Sequence, residues 1–291
     1  MTDSQPDVAV LTIAKGRQEH LLRLLEGLSR SLVPPSRCVV VDLNEQPARL
    51  PAMPFPLLHH HAPATGLPLA AARNAAARLA DAPKLVFLDV DCIPAPDMVG
   101  TLGDALGRQD ALVCCEILYL DAAASAASAA PASAVDLARV GHRHPHRPFP
   151  SQGSRVEPNA GLFWSLAFGI RASSFAALGG FDTGFTGYGA EDTDFGFRAR
   201  DHGLPLVLTA ETRAFHQYHP VFDPPLQHFD DILLNAARFH ERHGLWPMDG
   251  WLRDFARLGL IEWLPDGDLR LLRQPRPEEI VAAACPPGRA F

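Results

Sequence analysis

No stretch of about 18 apolar residues occurs in the 291-residue sequence, so no part of it reads as a membrane-spanning helix. The N-terminal MTDSQPDVAV also lacks the basic flank and apolar core of a secretory leader. Cysteine is sparse. Cys38, Cys92, Cys114, Cys115 and Cys285 are scattered without a CxxC pair, which excludes a zinc ribbon, and their odd number suits small core residues in a reducing compartment. Positive charge is short as well: 26 basic against 33 acidic residues leave a net charge of -7, which argues against broad affinity for nucleic acid or an anionic membrane. The first apolar run ends in AKGRQEH, without the GxGxxG turn that a dinucleotide-binding oxidoreductase needs. The expectation is a cytoplasmic protein, with peripheral attachment at the inner membrane face left open.

What the chain does have is apolar residues, 47% of the total, in runs that alternate between strand and helix patterns. Val8 to Ile13 reads as a buried strand, Glu19 to Leu28 as a helix with Leu21, Leu24, Leu25 and Leu28 on one face, and Cys38 to Leu43 as a second strand. Residues 47–68 hold six prolines and the triplet His59, His60, His61, a connection with at most one short strand around Leu57 and Leu58. The alanine-rich Leu69 to Leu79 predicts a helix and Leu85 to Leu88 a buried strand that runs into Asp89, Val90 and Asp91.

A helix from Asp97 to Leu106 and a strand from Ala111 to Leu120 follow. Residues 121–138, mostly alanine and serine, offer few large anchors and read as a surface helix or mobile loop. The segment GHRHPHRPFP, with His142, His144 and His146, reads as an exposed, partly basic loop rather than a metal site. Beyond it lie an apolar run from Leu162 to Ile170, a short helix from Ser173 to Leu178, a glycine-dense stretch from Gly179 to Gly189 able to approach a ligand closely, a helix through Phe195 and Ala199, and a strand from Leu206 to Leu208. The remainder predicts one helix, Phe229 to His243, and a proline-rich tail.

Chemistry concentrates in three places. Asp89 and Asp91 of LDVD stand at the end of a buried strand, where two acids one residue apart can face a divalent ion and sugar or ribose hydroxyls, although such a pair can also just cap a turn. Glu191 and Asp192 of GYGAED open a helix; they could serve only its dipole, and Glu191 shares a face with Asp194 while Asp192 points elsewhere. His216 and His219 follow in FHQYH, where Pro220 suggests a loop.

The segments VVVDLNE, LAAARNAAARLADAPKLVFLDVDCIPAP and LFWSLAFGIRASSFAALGGFDTGFTGYGAEDTDFGFRAR, in that order and over most of residues 8–219, make the chain resemble inverting GT-A glycosyltransferases of family 2 and their galactosyl- and N-acetylgalactosaminyltransferase relatives. The resemblance implies an α/β GT-A fold, with a Rossmann-like, mostly parallel central sheet flanked by helices. It also implies a nucleotide-sugar donor, a UDP-sugar before others, and a glycan, lipid-linked or small-molecule acceptor. Asp42 corresponds to the nucleobase contact, although the usual acid, glycine and serine turn is here Asp42, Leu43, Asn44, Glu45. Arg73 and Asn74 correspond to the donor-supporting segment, and Asp89 to a ribose or sugar contact. Asp91 and His216, with His219 as the alternative, would hold Mn2+ or Mg2+; Asp192 would be the base and Glu191 would orient the acceptor. Trp164 reads as a sugar platform or a core residue. The implied organisation is a catalytic domain over 1–220, with a nucleotide half near 1–120, a mobile segment near 121–150 and an acceptor half near 150–220, followed by a helical extension over 221–291. A metal-dependent hydrolase and a non-catalytic sugar-binding module are the competing readings.

Overall fold

Branched apolar runs dominate the first half of the chain, and each becomes a strand of one sheet. In the computed structural model, which describes residues 7–127 and 133–286, β1 (Val8–Ala14), β2 (Arg37–Asp42), β3 (Leu57–His61) and β4 (Lys84–Leu88) pair in parallel. Both faces of these strands are covered, so successive residues feed two different cores. Val8 and Val10 pack with Leu21, Leu24, Leu25 and Leu28 of α1 (Gln18–Ser29), whereas Ala9 and Leu11 pack with Ala70, Ala72 and Ala76 of α2 (Leu69–Leu79).

After β4 the chain turns through Asp89 to Asp91 into β5 (Cys92–Pro94), α3 (Met98–Arg108) and β6 (Leu112–Tyr119). The alanine-serine segment forms α4 (Ala122–Ala127) and α5 (Ala134–Val140), anchored by little more than buried Ser125 and Leu137; residues 128–132 of that expected loop lie outside the described residues. Strands β7 (His142–Arg143) and β8 (Ser154–Glu157) are edge pieces on β6 and on β10 (Leu206–His216). The apolar run from Leu162 to Ile170 is not continuous: a turn at Trp164 to Leu166 separates a short 3-10 segment, Ala160–Leu162, from β9 (Ala167–Arg171). β9 inserts antiparallel between β4 and β6, completing the order β3-β2-β1-β4-β9-β6-β10-β5. Helices α6 (Ala172–Ala177) and α7 (Glu191–Asp201) frame the glycine-dense loop.

Two expectations need correction. The strand anticipated at Leu206 to Leu208 extends to His216. Its pairing with β6 shifts register between Thr209 and Arg213, and this bulge breaks the alternation that a sequence reading relies on. The tail after α8 (Phe229–His243) is also structured, as α9 (Asp249–Arg257), a hairpin of β11 (Ile261–Trp263) and β12 (Leu269–Leu271), and α10 (Pro277–Ala282). The hairpin strands and α10 are too short for periodicity to declare them, whereas α9 carries a clear amphipathic face with Leu252 and Phe255 buried. Together these elements bury Leu252, Phe255, Ile261 and Trp263 against Phe229 and Ile232 of α8 in a third core. Cys38, Cys92, Cys114 and Cys115 are fully buried and free, and Cys285 is partly buried. Among the described residues no helix is long and apolar enough to cross a membrane.

Candidate active site

The parallel strands end on one edge of the sheet, and the turn after β4 delivers Asp89 and Asp91 there, the usual location of ligand sites in open α/β sheets. The register shift in β10 brings His216 opposite Tyr119 of β6 and Cys92 of β5, beside Asp91. His219 arrives from the loop that follows, its Nε2 3.6 Å from Asp91 Oδ2. One ligand atom from each of Asp91, His216 and His219 lies within 4.8 Å of the others, and among the described residues no other group of acids, histidines and cysteines gathers in this way. His216 therefore ends a strand rather than lying in the expected loop, and both histidines reach Asp91.

The chemistry of this set fits a divalent cation. Burial pushes the His216 imidazole down to about 4 and lowers His219, so both rings keep free lone pairs at neutral pH. His219 Nδ1 lies 3.1 Å from the Pro220 carbonyl, an acceptor, which assigns its proton to Nδ1 and leaves Nε2 facing Asp91. Burial alone would raise the Asp91 carboxyl, but a hydrogen bond from His20 Nδ1 and the nearby His216, Arg17 and His219 hold it below the ordinary range. His20 carried no signal in the sequence beyond its place on the polar side of α1. Gln217, fully buried, ties these parts together: its side chain donates to the His20 carbonyl and its amide to the Asp91 carbonyl.

A narrow cleft of about 10 Å³, room for about one water, is lined by Thr12, Arg73, Leu88, Asp89 and Ser165. The Thr12 hydroxyl is buried with no protein partner. Asp89 is raised to about 6, by burial first and by Asp91 second. The turn before β9 joins this wall to the helix acids: the Asp89 amide donates to the Leu166 carbonyl at 2.7 Å, and the Ser165 amide to Asp192 Oδ2 at 3.3 Å. Asp192 is likewise raised to about 6, by burial and then by Glu191, with Arg73 opposing. Its neighbour Glu191 faces inward and accepts from Arg73 Nη1 at 2.8 Å. The two acids thus differ as the helical spacing requires: Glu191 is locked in an ion pair, while Asp192 keeps a carboxylate held only by the Ser165 amide and its own helix turn at Thr193.

The other expected residues are engaged with the protein itself. Asp42 is fully buried, and its two oxygens accept from the amides of Asn44 and Ala48 and from His59 Nε2, so it shapes the loop after β2. Asn74 exchanges two 2.8 Å hydrogen bonds with the backbone of Phe181 and fixes the turn before the glycine-dense loop. Trp164 is half-buried, with His144 edge-on at 4.8 Å and Arg147 over its ring at 5.3 Å. The segment GHRHPHRPFP is largely exposed, as expected, except for Arg147, which is 3% exposed, donates to the Leu162 carbonyl and has the rings of Phe149 and Trp164 against its guanidinium. The glycines also differ from expectation, since side chains of α8, not open space for a ligand, face Gly184 and Gly187.

A mostly parallel sheet with helices on both faces, and paired acids at its carboxyl edge next to a carboxylate-histidine cluster, define a GT-A type of nucleotide-diphosphosugar transferase fold. Comparison with solved structures agrees. The chain superposes with a TM-score of 0.54 on GalNAc-T7, solved with UDP, GalNAc and Mn2+, at 15% identity over 75% of this chain and 44% of that one. It superposes at 0.55 on TarS of S. aureus, at 12% identity over 80% of this chain and 65% of a TarS fragment. The profile of glycosyl transferase family 2 matches residues 10–178, and that of the N-terminal domain of galactosyltransferase matches residues 154–220. The chain belongs to glycosyl transferase family 2. Curated relatives include the validoxylamine A glucosyltransferases of Streptomyces hygroscopicus subsp. jinggangensis (strain 5008) and subsp. limoneus, each 27% identical over an alignment of 214 positions that covers 61% of this chain. The chain spans 45% and 42% of their lengths.

Proposed function

We propose that this protein transfers a sugar from a nucleoside diphosphate, UDP before others, to an acceptor hydroxyl with inversion at the anomeric carbon. The observation that carries the reading is the convergence of Asp91, His216 and His219 within 4.8 Å, next to a cleft that shares its wall with Asp192. Asp91 and the two histidines would hold Mn2+ or Mg2+, which when bound would supply positive charge to offset that of a diphosphate leaving group. The UDP and Mn2+ in the GalNAc-T7 structure support this choice of nucleotide and metal.

The chain's own groups supply the rest. Asp89, which follows β4 at the carboxyl edge next to Asp91, offers a polar contact to ribose or the donor sugar. Asp192 accepts the acceptor's hydroxyl proton as that oxygen bonds to the anomeric carbon and the bond to the diphosphate breaks on the opposite face. Glu191, paired with Arg73, holds the first turn of α7 in place. Arg73 also favours the ionised form of Asp192, which keeps a carboxylate available near neutral pH despite its burial. An acceptor of glycan, lipid-linked or small-molecule type fits the reading, and the names of the Streptomyces relatives favour the small molecule.

A thermal-shift screen with UDP, GDP and dTDP, each with and without Mn2+, tests the donor half of the reading. Stabilisation by UDP that requires the metal is the expected result, because a ligand that binds only the native state raises its apparent stability. Equal shifts with all three nucleotides, independent of metal, would sink it.

A further inference from the structure

Glycines ahead of two catalytic acids suggest a loop that moves over a ligand, but in the folded chain this loop is already gripped. On α8, Asp231, Asn235, Arg238 and Arg242 recur at spacings of four, three and four, which aligns them in one polar stripe. That stripe faces the segment from Asp182 to Asp194. At one end Arg238 and Arg242 bind Asp182; at the other Arg242 and His243 reach Asp194 at 2.7 and 3.0 Å. In the middle, Asp231 accepts from the Tyr188 amide at 3.2 Å.

Asn235 is the centre of this grip. It is 1% exposed, and its side chain is spent on the loop backbone: Oδ1 accepts from the Thr186 amide at 3.3 Å, and Nδ2 donates to the carbonyls of Thr186 at 2.8 Å and Tyr188 at 3.2 Å. The glycines are required by the closeness of α8. A Cβ on Gly184 would lie 2.1 Å from the Arg238 guanidinium, and one on Gly187, where φ is +69°, would lie 2.1 Å from the Asp231 carboxyl. Two residues after Tyr188, Ala190 takes a left-handed φ of +67° and launches α7 with Glu191 and Asp192 in its first turn. A non-glycine residue in that conformation persists only where its surroundings hold it.

We infer that Asn235 is a positioning residue for transfer, clamping residues 186–188 so that α7 begins where it presents Asp192 to the cleft. The inference rests on Asp192 being the base. Without the Asn235 amide, the carbonyls of Thr186 and Tyr188 and the Thr186 N–H lose a protein partner and turn toward water. The start of α7 then drifts, and a displacement of about 1 Å in a catalytic group costs on the order of a hundredfold in rate.

The test compares wild type, N235A, G187A and the exposed-face control L234A by three readouts: kcat and KM, calorimetric binding of UDP with Mn2+, and amide hydrogen exchange over residues 184–190. Expected for N235A is a kcat loss of about tenfold or more, UDP affinity within about threefold of wild type, and faster exchange confined to that segment. G187A, a loop change that leaves the cores untouched, is expected to act in the same direction, so the outcome does not depend on N235A folding well. L234A is expected to match wild type. The inference is overturned if G187A and any folded N235A keep kcat within about twofold, or if UDP affinity falls in step with kcat. Should wild type neither bind UDP with Mn2+ nor transfer sugar, the functional reading fails. Exchange over residues 186–188 then still decides the clamp, and no acceleration in G187A would refute it.

Discussion

Asp192 and the three groups that meet at Asp91 take most of the chemical weight at the scale of single residues. D192N removes the base but keeps the shape, so transfer is expected to fall by about 10²- to 10⁴-fold while UDP binding persists. Near-normal turnover in a steady-state assay would reject the assignment. With the Asp192 carboxyl raised to about 6 by burial and Glu191, the base is protonated at lower pH; kcat/KM should therefore climb through about pH 6 and level off above it. An acid limb near 4 would mean a carboxyl in an ordinary setting. At the metal site, a Mn2+ titration of H216A and H219A should show weaker binding in both, and H20A, which removes a partner of Asp91 rather than a ligand, a loss of about 10- to 100-fold. The acids could be singled out in the sequence because a buried strand ends at Asp89 and a glycine-dense stretch ends at Glu191. His20, Gln217 and Ser165 could not be: each acts through a contact between segments far apart in the chain, and two of them through the main chain.

Among the elements, the boundaries of α2 and α8 were readable to the residue, since alanine-rich and amphipathic periodicity run uninterrupted through both. β10 was readable only in its first three residues, because its bulge hides the part that delivers His216. The junction of α7 and α8 is where packing adds most to what patterning could tell. Asp194 is fully buried and meets Arg198, Arg242 and His243, so D194A would take the shared acceptor from these donors, two of them partly exposed, and is expected to cost about 1 to 3 kcal/mol in a denaturant titration. A cost near zero would mean that this network is not holding the helices together. Asp182 supplies a pH signature for the same junction. Burial would raise its carboxyl, but the Gly184 amide and the guanidinium groups of Arg238 and Arg242 bring it down to about 2 from 3.8. A depressed folded-state value stabilises the fold above the unfolded value and ceases to do so as pH falls through the folded one. Wild type should therefore lose stability relative to D182N between about pH 4 and pH 2, and parallel curves would contradict the assignment.

Across the whole molecule, one sheet with two covered faces serves as a platform, and its carboxyl edge collects segments that lie up to about 200 residues apart, from His20 on α1 to His219 beyond β10. The alternating strand and helix runs made this α/β platform legible, because a parallel sheet declares itself in continuous apolar strands. The C-terminal core was only partly legible: α8 and α9 carry amphipathic faces, but the hairpin and α10 that complete it are too short to show a period. The account turns on a divalent cation held by Asp91, His216 and His219 as the seat of a nucleoside diphosphate. Calorimetric titration of UDP into wild type and D91A, each in Mn2+ and in EDTA, measures that directly. Binding by wild type in Mn2+ only, weakened by about tenfold or more in D91A, is the predicted result. UDP affinity that is the same in EDTA, or untouched by D91A, would contradict it.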